Sequence, residues 1–151
     1  MTDAPVPSDL VASVRKAMYE FVNAAGNRRV LPPVFHVGRP GGRPGAYQYA
    51  IADEVATQAG LRADLVERAL DGLLVEDPCA WITRSGSLTP TDPDVAWFAA
   101  SREAFGRHGL ELPAFLVITR AGWINLMAEQ ALPQPGVRPR RRRTKERPAP
   151  A

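Results

Sequence analysis

Ala56 and Gly60, four residues apart inside Ile51–Leu70 (IADEVATQAGLRADLVERAL), constrain this chain more than any other pair. A small side chain at position 56 lets two helices cross closely. Gly60 can close the first helix in a left-handed conformation that residues with a Cβ adopt reluctantly. Leu61, Leu65, Val66, Ala69 and Leu70 then repeat at helical spacing and give the second helix one apolar stripe. The spacing predicts two short helices crossing about a glycine turn, the second running to about Val75 and stopped by Asp77-Pro78.

The flanking segments extend this reading. Ser8 or Asp9 can cap a first helix to about Ala25, with Leu10, Val14, Met18, Phe21 and Val22 on one face. A long proline- and glycine-rich connection follows over residues 27–46, with one short strand expected at Val34–Val37. Downstream, Ala80–Arg84, a Ser85-Gly86 turn and SLTP read as a β-hairpin. Thr91 or Asp92 caps a further helix to about His108, with Pro93 in its first turn. Phe115–Ile118 is an apolar strand, and Thr119 is expected to start a last helix to about Leu132. Ile82-Thr-Arg-Ser-Gly86 echoes Ile118-Thr-Arg-Ala-Gly122, which reads as two strand exits and not as a repeat.

Charge divides the chain of 151 residues unevenly. Between Arg138 and Arg147 stand seven basic residues and one acid, a net +6. Since the whole chain carries +3, the remainder carries −3. Basicity therefore belongs to the end of the chain, and only that segment implies a polyanionic partner. The domain boundaries follow: a folded unit over 1–132 and a proline- and arginine-rich tail over 133–151, expected to lack fixed structure. The lone Cys79 excludes an internal disulfide and a multi-cysteine zinc site. The N-terminus has no secretory pattern, and no apolar run reaches the ~20 residues of a membrane span. A cytoplasmic protein without membrane contact is expected. Richness in alanine, arginine and proline suggests a high-GC bacterial or phage genome.

The crossing helices followed by a ribbon resemble the winged-helix transcription regulators. Leu88-Thr-Pro90, leading into another helix, resembles the end of the wing in multiple-drug-resistance-type repressors. The resemblance implies a mainly α fold with a small β-wing (α+β), a winged helix–turn–helix with extra C-terminal helices. It also implies duplex DNA as partner and a role as transcriptional regulator or accessory factor of a mobile element or replicon, located at the nucleoid. The long connection over residues 27–46 departs from that pattern.

In this register Arg62 and Arg68 on the second helix can reach guanine edges or phosphates. Arg84 lies beside the ribbon turn, Arg39 and Arg43 precede the motif, and Arg140, Arg141, Arg142 and Arg143 add affinity without sequence preference. Asp64, Glu67 and Asp71 share the outward face of the helix and oppose a phosphate-lined groove. They suit the alternative: a protein–protein interaction module that uses the acidic helix, with the tail as a nucleic-acid or acidic-partner anchor. A third reading makes the tail an RNA-binding arm. The adjacent aromatics Trp97 and Phe98, with Phe105 and Trp123, suggest a homodimer contact within 93–132. His36, His108 and Cys79 form no nucleophile–base grouping and no phosphate loop is present, so no catalytic residue, cofactor or metal is expected.

Overall fold

The computed structural model describes residues 6, 8–42, 47–51, 59–73, 75–128 and 133–137. Two runs in the middle of the sequence, CAWIT and FLVIT, are buried at every position. A strand apolar on both sides must lie inside a sheet covered on both faces. These runs form β3 (Cys79–Thr83) and β4 (Phe115–Thr119), the two central strands, paired in parallel with Ile82 opposite Val117. Helix α3 (Asp92–Arg107) connects them. β1 (Val34–Gly38) lies antiparallel on the other side of β3, with β2 (Tyr47–Ala50) outside it. β5 (Gly122–Asn125) turns back along β4, and β6 (Gln134–Pro135) forms the far edge. The order is β2-β1-β3-β4-β5-β6.

Alternation along the strands divides the core in two. One face carries Phe35, Val37, Ala80, Ile82, Phe115, Val117 and Ile124 beneath α2 (Ala59–Gly72) and α3. Phe35 stacks on Trp97 there with ring centroids 4.4 Å apart. The opposite face carries Cys79, Trp81, Leu116, Ile118 and Trp123 beneath α1 (Ser8–Ala25), which contributes Val14 and Met18. α3 starts with the cap expected of it: Thr91 accepts from the Asp94 amide, and the Asp94 carboxylate accepts from the Thr91 amide at 2.9 Å.

This architecture overturns the mainly α winged-helix expectation. Among the described residues it is a six-stranded mixed sheet with three helices on its two faces. Ser85-Gly86 does not close a hairpin, because the neighbours of β3 are β1 and β4. A two-stranded ribbon exposes one side, whereas Cys79, Ala80, Trp81 and Ile82 are all buried. The expected last helix is also absent where it was to begin. Arg120-Ala121 make a turn, and Trp123 and Ile124 enter opposite cores as neighbours in a strand. Gly60 is an exposed residue inside α2 and not a turn, while Ala56 and the helix it was to cross lie outside the described residues. β6, at Gln134–Pro135, pairs with β5 just past residue 132.

Candidate functional site

The arginines expected to meet DNA are scattered by this fold. Arg84 is buried and all five of its N–H donors are used within the chain. Nε and Nη2 hold Asp94 (Nη2–Oδ2 2.8 Å), Nη1 donates to the Ser85 and Ser87 carbonyls, and Nη2 also donates to that of Thr89. It ties the loop after β3 to the start of α3 and is not a nucleic-acid contact. Arg62 is half-buried on α2, Arg68 is exposed on the same helix, and Arg39 is exposed after β1. Arg43, Arg140, Arg141, Arg142 and Arg143 lie outside the described residues.

The acidic residues of α2 turn towards α3. Arg107 pairs with Glu67 at 2.9 Å and with Glu103, and lies 3.9 Å from Asp64. His108 Nε2 meets Asp71 Oδ1 at 2.7 Å. The hydrogen bond to Asp71 raises the His108 pKa above its ordinary value. Asp64, Glu67 and Asp71 therefore form the rim of an interhelical seam and not an unpartnered surface. The aromatics are consumed likewise: Trp97 and Phe105 are buried on one sheet face and Trp123 on the other. Phe98 packs against Phe115 with Arg102 over its ring. This placement withdraws Trp97, Phe105 and Trp123 from the surface of residues 93–132 and leaves Phe98 half-buried.

Two features come together that the sequence did not show. The first is a basic corner. Arg120, in the turn between β4 and β5, donates to the Ala25 and Arg28 carbonyls at the C-terminal end of α1. Unsatisfied carbonyls at a helix end favour such a cation. Arg28, Arg29 and Arg120 are all exposed there. In the same turn Ala121 accepts from the Gly136 amide at 3.1 Å, and Val137 packs on the core beneath α1. The arginine-rich segment thus begins at Arg138, directly after Val137 and with two residues between it and the end of a strand anchored at this corner. The repeated I-T-R-x-G signals it only in part: it marks two strand exits, and β3 and β4 being parallel brings both to one end of the sheet.

The second is a cleft of about 400 Å³ where α1 leaves the β1–β2 side of the sheet uncovered. His36, Trp81 and Thr83 line it from the sheet and Phe21 and Ala24 from α1, with Arg39 at its edge. His36 lies flat on Trp81 (centroids 5.1 Å, planes 3° apart), and its Nε2 shares a 2.8 Å hydrogen bond with Thr83 Oγ1. Burial pushes the His36 imidazole down to about 4, so it is neutral at pH 7. Gln48 stands opposite His36 across the β1–β2 pair. Cys79 is not among the residues lining this cleft; it donates to the Ala114 carbonyl, and burial pushes its thiol up to about 12.

Among the described residues no three metal-type side chains cluster, and no helix is long and apolar enough to cross a membrane. No protein-family model, curated protein or solved structure matches this chain.

Proposed function

We propose that the chain is a non-catalytic duplex DNA-binding protein, a regulator or accessory factor, residing on the chromosome or replicon it binds. Its interface is the corner of Arg28, Arg29 and Arg120 together with the arginine-rich segment from Arg138 onward. The observation that carries this reading is the anchoring of β6 on β5, through Gly136 and Ala121, beside the end of α1. A net +6 segment on its own is a sequence-independent counter-ion for phosphates. Starting from a fixed point next to three exposed guanidinium groups, it extends one cationic surface instead of acting alone. α2 is not the reading element, because its carboxylates and the loop arginine expected beside it are engaged within the fold.

The test is duplex binding followed by fluorescence anisotropy across salt. About nine neutralised phosphates, six by the segment and three by the corner, give log affinity a slope near −8 against log salt, at roughly 0.9 per phosphate. Removing residues 138–151, which leaves β6 intact, should flatten that slope to about −3. The double variant Arg28→Gln/Arg29→Gln should lower it by about 2 with unchanged thermal stability. Absence of duplex binding at low salt would refute the function. A slope indifferent to Arg28 and Arg29 would remove the corner from it.

A further inference from the structure

We infer that the cleft between α1 and the β1–β2 arm is a binding site for a small planar molecule carrying one anionic group. Its volume, about 400 Å³, lies in the ~300–1,000 Å³ range of small-molecule sites and holds one compact ring system. α1 presents small residues along this side: the buried Ala17 and Ala25 and the exposed Ala24 line the cleft. Apart from Glu20, Arg28 and Arg39, the lining is apolar or neutral and hydrogen-bonding. Pro32, Val34, Phe21 and the stacked His36–Trp81 pair make flat apolar walls, while Thr83 and Gln48 offer uncharged donors and acceptors. A neutral His36, held by Thr83, keeps positive charge out of the floor.

Charge sits at the mouth instead. Arg28 and Arg39 both line the cleft and both are exposed. Among the described residues neither forms an ion pair. Among the described residues Glu20 is the one carboxylate lining the cleft, against the two guanidinium groups. An apolar slot with neutral polar groups inside and guanidinium groups at its entrance selects a planar body inside and a carboxylate or phosphate monoester outside. Aromatic carboxylates and mononucleotides share that chemistry. This inference does not depend on DNA binding.

Tryptophan fluorescence and isothermal titration of the full chain would test it with four probes: salicylate, adenosine monophosphate, and their neutral counterparts phenol and adenosine. One or both anions should saturate at sub-millimolar concentration, and the neutral counterparts should bind about tenfold more weakly. Saturation by salicylate alone or by adenosine monophosphate alone identifies the source of the anion. Arg39→Gln should weaken the anion about tenfold and leave the neutral probes unchanged. Ala24→Phe, at an exposed helix position, should fill the slot and abolish binding with α1 intact by circular dichroism. Duplex binding measured on the same two variants should match the wild type, so failure of this site is distinct from failure of the DNA reading. Lack of saturation by both anions, equal affinity for neutral probes, or undiminished binding by Arg39→Gln would each overturn the site.

Discussion

Arg84 and Arg120 occupy equivalent places in the two I-T-R-x-G exits and both fasten a helix to the sheet, yet their energetics differ. Arg84 is buried with Asp94, which is itself 1% exposed. Truncating one partner leaves the other charge buried and unpaired, a loss of about 3–5 kcal/mol. Urea denaturation of Arg84→Ala should therefore show a large drop in stability, and lysine at 84 should recover little of it, having neither the fork nor five donors. His36 gives a pH dependence of definite sign. Its folded pKa of about 4 lies below the unfolded value of 6.5. The unfolded chain binds the proton first, so stability is full above pH 6.5 and falls as pH drops towards 4, by up to about 3 kcal/mol. Denaturation of wild type and His36→Gln at pH 7 and pH 4.5 measures it: the wild type alone should show this share of the loss.

Among the elements, the α2–α3 seam carries the opposite sign. The hydrogen bond to Asp71 raises the His108 pKa, so its contribution is complete below 6.5 and disappears as pH rises through the folded value. The Tm difference between wild type and His108→Ala should be larger at pH 5.5 than at pH 8.5. Because the seam is solvent-exposed, Glu67→Gln should move Tm by less than about 3 °C, and less still at high salt. α1, α3 with its capping box, β1 and β4 were legible as elements because caps, breakers and apolar runs are local signals. α2 was legible as a helix, but its stripe of Val66, Ala69 and Leu70 does not state what it packs against. A crossing helix and a sheet both accept such a stripe. β5 was missed because Trp123 and Leu126–Met127 also fit helical spacing, and only the turn at Arg120-Ala121 distinguishes the two.

For the molecule as a whole, Gly122 governs how the basic segment is attached. Its φ of +149° favours glycine, and a Cβ there would overlap the Gln134 carbonyl. Gly122→Ala should expel β6, so the Gly136 amide loses its hydrogen-exchange protection while amides of β3 and β4 keep theirs. Freed from the corner, the tail acts at lower effective concentration, and duplex affinity should fall several-fold with its net charge unchanged. Wild-type affinity in a variant whose Gly136 amide exchanges freely would show that the anchoring is irrelevant to binding.

Local chemistry in the chain determined where most helices and strands start and stop, and how charge divides between the body and the end of the protein. Short-range rules of capping, turn formation and alternation suffice for that. The partners of each element were decided only in three dimensions. Apolar periodicity prescribes that a face be buried and is silent about which surface buries it. Pairing β3 with β1 and β4 withdrew Arg84 from the surface, and the packing of α2 on α3 occupied its acids. Neither the cleft beside His36 nor the corner of Arg28, Arg29 and Arg120 is contiguous in sequence, so both arise from the order of strands in the sheet.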